Sequence, residues 1–459
     1  MAVPRHRVHC RTGPARDPAG GRAPVGPCLP CVRFSLLQRA TRRRVPAPIP
    51  PPRHRGRRGG VRAAGTDGPG GVPRTTPGRT GPHGGAGGRC GEAARAAGTD
   101  GTGSNPKDPV TAVELDARHL KVGEAIDRLC TIEITGRGVV GDLYAAARAA
   151  QPGPLCLTVA RVLLERVTPG DVVVIATGLP TYPWFSGEQD GPVGAATLAR
   201  ALVLGLAARP VIVTEPAHVE MCAAAVRGAG LYARGVDEAL QLPTTAAVIG
   251  FPLDWAEAER AADALLTRLR PKVLLAIERP GANEHGHYHS AGGQRLTDHC
   301  AKVDVLFARA RAAGIPTAGV GDGGNELGCA MIREAVFTAV PRGRRCQCPC
   351  QGSVVPATPT DYLVLTAISN WGAYGIAAAM ALLLGRPEVL HTREIDRRVH
   401  DLCAAAGANN DGPGLLDVGT DAVPAELHGA FLALLGFMVA SGIDFGRLYR
   451  EPRYPWLAI

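Results

Sequence analysis

Short runs of apolar, largely β-branched residues recur along the chain, each followed by a stretch of helical period. This alternation constrains the fold more than any other feature. The runs are Val172-Val173-Val174-Ile175, Val211-Ile212-Val213-Thr214, Ala246-Ala247-Val248-Ile249, Val273-Leu274-Leu275-Ala276-Ile277 and Pro316-Thr317-Ala318-Gly319-Val320. They are continuous rather than alternating, so both faces of each strand are expected to be covered. Helices are expected over residues 193–206, 218–229, 256–269 and 303–313. Strands joined through helices pair in parallel. The expected class is α/β: a mostly parallel sheet with helices on both faces, Rossmann-like, and a mostly helical C-terminal part from Asp361.

Charge divides the chain of 459 residues in two. Its formal net charge is +10, but Arg is concentrated in the first hundred or so residues, where Asp and Glu are scarce. Residues 1–108 are rich in Arg, Pro and Gly and are expected to be disordered, because they cannot bury enough apolar area to offset backbone entropy of about 1–2 kcal/mol per residue. A solvated tail or an over-extended start, a basic nucleic-acid arm and an organelle transit peptide compete for this segment, in that order. Residues 109–459 form the expected folded domain. Its charges are interspersed, so nucleic acid is not an expected partner. The start of the chain shows no apolar leader run, and the thirteen cysteines are too sparse for a disulfide scaffold. The expected compartment is therefore reducing, the cytoplasm. The apolar stretch from Tyr374 to Leu384 is too short to cross a bilayer core of about 30 Å, and no membrane partner is expected.

Ligands of open parallel sheets bind beyond the carboxyl ends of the strands. That rule selects Thr177 and Gly178, the run Glu188-Gln189-Asp190-Gly191-Pro192, Glu215, and Glu278-Arg279 running on through Asn283 to His285, His287, Tyr288 and His289. It also selects Gly319-Val320-Gly321-Asp322-Gly323-Gly324-Asn325-Glu326. Asp322, Asn325 and Glu326 offer hard oxygens that could hold a divalent cation or an ammonium group. The competing reading is a tight turn with Asn325 or Glu326 capping a helix. An Asp inside this loop would repel a pyrophosphate, which disfavours a dinucleotide.

Arg279 could fork a substrate carboxylate or form a surface ion pair with Glu278. His285, His287 and His289 share one face if the backbone is extended, and could then bind metal; a mobile loop competes. Cys346, Cys348 and Cys350 form a C-x-C-x-C run. They could hold zinc or a soft metal with a fourth ligand from elsewhere, or be structural thiols or redox sensors. Ser369-Asn370-Trp371 stands at a helix start, where N–H groups favour an anion; a cap with core aromatics competes. Ser369 lacks the Gly-x-Ser-x-Gly turn of a hydrolase nucleophile.

In these segments the chain resembles the C-terminal domain of the D-glutamate cyclase family, as a stand-alone bacterial-type member. The matching stretches are Thr177-Gly178-Leu179-Pro180, Asp190-Gly191-Pro192-Val193-Gly194-Ala195, Glu278-Arg279-Pro280-Gly281, Tyr288-His289-Ser290, residues 321–328, Ser369-Asn370-Trp371-Gly372-Ala373-Tyr374 and Asn410-Asp411-Gly412. The resemblance implies an α/β domain and a hydro-lyase that dehydrates D-glutamate to 5-oxo-D-proline. For such chemistry Glu278 or Asp322 is expected as base, and Glu326 or Tyr288 as acid. Arg279, Ser369 and Asn370 are expected on the substrate carboxylate, and Thr177, Gly178, Asp190, Asn283, His289, Asn325 and Asp411 as further contacts. This reading names no definite cofactor; the acidic loops could take a divalent cation. A metal-assisted lyase or hydrolase of another small acidic amino acid, and a non-catalytic binding module, are the alternatives.

Overall fold

The computed structural model describes residues 113–446. The segment 1–108 and its expected disorder lie outside the described residues. Three helices come first: α1 Ala117–Cys130, α2 Val140–Ala150 and α3 Leu155–Arg166. The main sheet has seven strands, β1 Val172–Thr177, β2 Arg209–Thr214, β3 Tyr232–Arg234, β4 Thr245–Gly250, β5 Val273–Ile277, β6 Thr317–Gly321 and β7 Tyr362–Leu365. All pairings are parallel, in the order β3-β4-β2-β1-β5-β6-β7. Helices α4 Pro192–Leu206, α5 Val219–Gly228, α6 Val236–Gln241, α7 Trp255–Leu269 and α8 Val303–Ala312 lie between strands up to β6. Then come α9 Arg333–Ala339, α10 Ser369–Leu384, α11 Arg393–Ala405 and α12 Ala425–Ile443.

Strand pleating sends successive residues of β1 to two separate cores. Val173 and Ile175 join a core built with α3, α4, α5 and α10, whereas Val172 and Val174 join one built with α7 and α8. Helix α7 shows how sequence makes such a layer. Asp254 accepts the Glu257 N–H at 3.0 Å and caps its start. Ala258, Ala262, Leu265 and Leu269 form its buried stripe. Helix α10 is apolar on all sides, and residues Ser369 to Leu382 are buried among α1, α3, α4 and α12.

The structure departs from the expected layout in three places. The part from Asp361 is not helical at once, because Tyr362–Leu365 forms β7 beside β6. Strand β3 is a three-residue edge element with Tyr232 exposed, too short and too wet to leave an apolar run. The longest apolar helix is α12 rather than the Tyr374–Leu384 region. It alone among the described residues is long and apolar enough to cross a membrane. It packs on α1, α10 and α11, while Leu427, Leu434 and Phe437 face outward.

Candidate active site

Strand order reverses between β1 and β5, the neighbours from which the chain winds in opposite directions. The crevice beyond their carboxyl ends is the place such sheets offer for a ligand. Glu278 follows β5 directly and holds a left-handed backbone with φ 42°, a conformation costing a non-glycine residue on the order of 1–3 kcal/mol. The loop before α4 presses against it. A Cβ on Gly191, itself at φ 88°, would stand 2.6 Å from Thr177 Oγ1 and 2.9 Å from Glu278 Cβ. Only glycine allows that approach.

The loop after β6 is equally constrained. A Cβ on Gly319 would meet the Leu327 carbonyl oxygen at 1.8 Å. Glu326 folds back and accepts backbone N–H bonds from Asp322, Gly323 and Gly324 at 3.2, 2.7 and 2.8 Å. A third loop joins from the C-terminal part. Asn410 Oδ1 accepts the Ala422 N–H at 2.8 Å, which draws the stretches carrying Asp411 and Asp421 together.

These loops enclose a cavity of about 270 Å³ lined by Glu188, Glu278, Asp322, Glu326, Asp411 and Asp421. Arg137 is the one basic residue in its lining. Arg137 pairs with Asp322 through both nitrogens at 3.1 and 3.2 Å, reaches Asp421 at 3.8 Å, and donates to the Ala367 carbonyl at 2.6 Å. Ser369 Oγ donates to Glu278 Oε2 at 2.7 Å. Glu278, Asp322 and Ser369, distant in sequence, therefore meet at one rim of the sheet.

So many carboxyls around one guanidinium cannot all be ionised in a buried site. Burial, then Glu326 and Asp322, push the Glu278 carboxyl well above its usual range. Burial and Asp411 do the same to Glu188, and burial and Asp322 to Asp421. Burial and Asp322 raise Asp411, against the pull of Arg137. Glu278 is therefore biased toward its protonated form, while Asp322 is forked by Arg137. The arrangement sets a proton donor beside an ion-paired carboxylate, the pairing that acid–base work needs. It also suits a cation. The oxygens of Asp190, Asp322 and Asp421 lie within 4.8 Å of one another, as do those of Glu278, Asp322 and Glu326. Hard oxygens in such sets could hold a divalent ion, with Arg137 competing for Asp322.

Several expected site residues do other work. Arg279 does not reach the cavity. It is fully buried, pairs with Glu215 at 2.5 Å, and donates to the Gly178 and Ala301 carbonyls at 2.8 and 2.9 Å and to that of Thr177 at 3.3 Å. Its fork is spent on the protein, which corrects its reading as the substrate's partner; Gly178 likewise serves as an acceptor. Tyr288 is buried against Asp304, to which its hydroxyl donates, and stands outside the cavity lining. Burial and Asp304 hold its hydroxyl well above its usual pKa; its proton is committed to Asp304 and does not face the cavity. Thr177 Oγ1 donates to the Ile277 carbonyl at 2.8 Å.

Asn283 is also structural. It accepts the His285 and His287 N–H groups at 3.0 Å each and donates to the Ser353 carbonyl at 2.8 Å. The three histidines do not share a face, because Gly286 at φ 75° breaks the extended backbone. His289 alone turns to the thiols, its Nε2 at 3.3 Å from Cys348 Sγ. It is a neighbour of the cysteine run and not a substrate contact. The N-terminus of α10 is already taken by one of the protein's own carboxyls. Asp190 accepts the Ser369 and Asn370 N–H groups at 3.0 and 2.8 Å. Asn370 Oδ1 in turn accepts the N–H groups of Gly191 and Gly194 at 3.0 and 2.6 Å, so Asn370 clips two helix starts together. Of the expected contacts, Asn325 and Asp411 line the cavity.

Arg137 and Asp421 are the charged lining residues that sequence reasoning did not select. Glu188 lay within a selected run. Arg137 stands between Gly136 and Gly138 ahead of β1, and its flanking glycines are its only local signal.

Comparison with known proteins gives this architecture a family. The family model described as D-glutamate cyclase-like, C-terminal, matches residues 121–436. The chain belongs to that family. The match spans nearly all the described residues, including every loop that builds the cavity. A curated relative, the mitochondrial D-glutamate cyclase of Homo sapiens, is 30% identical over 222 residues, covering 46% of this chain and 33% of the relative. The chain thus matches about a third of that relative's length. That named relative is an enzyme, a D-glutamate cyclase.

Proposed function

We propose that the carboxyl-lined cavity dehydrates D-glutamate to 5-oxo-D-proline. The observation that carries this reading is a small site that sets Glu278, its carboxyl pushed upward by burial, beside an Asp322 forked by one guanidinium, in a chain of this family. The cavity of about 270 Å³ lies below the roughly 300–1,000 Å³ of sites for drug-sized ligands and suits a single amino acid. Arg137 is where a substrate carboxylate gains a cation, and the surrounding carboxyls favour the substrate ammonium.

Ring closure forms a bond from the amine nitrogen to the side-chain carboxyl carbon and breaks one carbon–oxygen bond. The nitrogen gives up two protons, and the departing oxygen leaves with them as water. Asp322 accepts a proton from the ammonium, and Glu278 delivers one to the departing oxygen. Folding the substrate so that its two ends meet can supply about 7–11 kcal/mol of the barrier. Glu326 shapes the Asp322 loop through its backbone bonds. The second reading is a metal-assisted lyase or hydrolase of another small acidic amino acid, favoured by the two close oxygen sets. We place the protein in a reducing compartment, the cytoplasm, a reading supported by the free thiols among the described residues.

The test is incubation with D-glutamate, chiral chromatography for the cyclic product, and L-glutamate as control, with and without chelator. Cyclic product from the D-isomer alone is expected. Thermal stabilisation without product would leave a binding module, and turnover of only another acidic amino acid would install the second reading.

A further inference from the structure

We propose that Cys346, Cys348, Cys350 and His289 bind one zinc ion, and that this ion fixes a wall of the cavity. The four ligand atoms come from two loops far apart in sequence and lie within 4.8 Å of one another. The three sulfurs are 3.4, 3.4 and 3.2 Å apart, and His289 Nε2 is 3.3 Å from Cys348 Sγ and 3.7 Å from Cys350 Sγ. A disulfide would need about 2.0 Å, and all three thiols are free. A tetrahedral zinc with Zn–S near 2.3 Å spaces its sulfurs about 3.8 Å apart, so the cluster accepts the ion by opening roughly half an ångström.

The donor chemistry selects the ion. Soft thiolates with one imidazole favour zinc over the hard cations that the carboxyl cavity would take. Three sulfurs and one nitrogen complete a tetrahedron and leave no position for substrate, as in structural zinc sites. Binding releases the protons of the coordinating thiols and involves no redox step.

The link to the cavity is direct. Ser290, Ala291, Gly292 and Gln294, the residues just after His289, line it. Asn325, also in the lining, donates to the His289 carbonyl at 3.1 Å. From the cysteine loop, Gln347 donates its backbone N–H to the Gly293 carbonyl at 2.9 Å and its side-chain amide to that of Gly292 at 2.6 Å. The two loops touch so closely that a Cβ on Gly293, at φ 82°, would lie 3.1 Å from the Gln347 nitrogen. An ion held between them fixes the 290–294 segment against the Asp322 loop. This second half of the proposal rests on the cavity being the working site; the first half does not.

The experiment is elemental analysis of the full-length chain purified under reducing conditions, after gel filtration with a mild chelator. About one zinc per chain is expected, falling at least tenfold in a C346S/C348S double variant and staying high in D322N. Cobalt reconstitution of the wild type, stripped with a strong chelator, should give the intense visible bands of a tetrahedral thiolate site, and needs no variant to fold. Loss of zinc should raise amide exchange across residues 290–294 with the far-ultraviolet circular dichroism unchanged. Metal that survives in C346S/C348S, or disappears in D322N, would place the ion elsewhere. A wild type that neither retains zinc nor gives the cobalt bands would overturn the site, and unchanged exchange would overturn the fixed wall. None of these readings depends on D-glutamate being turned over.

Discussion

Two donor clusters sit on either side of one short segment, residues 289–294, and they solve opposite problems. The carboxyl cluster is hard, like-charged and unbalanced. Arg137 neutralises part of it, and the remainder holds protons at pH values where carboxyls are normally bare. The thiol cluster is soft and compact: three sulfurs and one imidazole nitrogen lie within 4.8 Å of one another, the donor number of a closed structural zinc site. Incomplete compensation is what makes a buried group reactive, whereas complete compensation makes it a fastener. The same contrast divides the two arginines. Arg137 is about one-third exposed and faces the cavity, while Arg279 is fully buried with Glu215.

The sharpest way to break the comparison is Glu278→Gln. It keeps the volume and a hydrogen bond for Ser369 but removes the transferable proton. Turnover should fall about 10²–10⁴-fold, the usual worth of one positioned proton-transfer group. In the wild type, activity that needs protonated Glu278 should decline as pH rises through its raised pKa, and steady-state pH profiles would show the limb. Wild-type turnover in E278Q would remove Glu278 from the chemistry. Next in size is Arg279→Met, which leaves Glu215 buried without its cation. Glu215 is held down at about 2 by Arg279 and His218 against the cost of burial. Breaking such a pair costs about 3–5 kcal/mol, so the urea midpoint should drop steeply. Arg137→Gln should cut activity yet cost less than about 1 kcal/mol of stability, because its guanidinium is partly solvated. Equal stability losses in the two variants would erase the distinction. Asp322→Asn should lower turnover at least about tenfold, with the urea midpoint near wild type.

The sheet was legible because its strands are continuous apolar runs, and their carboxyl ends led to the right rim. The glycine-rich Asp322 loop was legible for a steric reason, since Gly319 has no room for a Cβ. What sequence left obscure follows from geometry that spacing does not carry. Glu278 and Arg279 read as one functional pair, yet neighbours at a strand end point to opposite sides, so they serve different structures. Arg137 precedes the first strand, where a rule about strand ends does not look. Asp421 has a left-handed backbone at φ 53° and is brought in by Asn410 from eleven residues upstream, a long-range fact. The C-x-C-x-C run announced a soft site, but its fourth donor, His289, comes from a loop 57 residues upstream of Cys346, a contact that spacing does not carry.

The smallest effect tests whether the carboxyl cluster is strained as its protonation implies. A carboxyl whose pKa is raised on folding binds more protons in the native state than in the unfolded chain. Its contribution to stability is therefore full below the unfolded value of about 4.3 and declines as pH rises toward the folded value. Glu278, Glu188 and Asp421 all have this sign; Glu215 has the opposite one and loses its contribution only as pH falls toward about 2. Across neutral and mildly alkaline pH the cluster should thus erode stability while Glu215 stays constant. E278Q removes one of the eroding groups, so its melting temperature should exceed that of the wild type by about 2 °C at pH 8 and by less at pH 5. Differential scanning calorimetry at the two pH values decides it. A variant less stable than wild type at pH 8 would mean that Glu278 is ionised and satisfied in the fold, and the proton donor would have to be sought among Glu188 and Asp421.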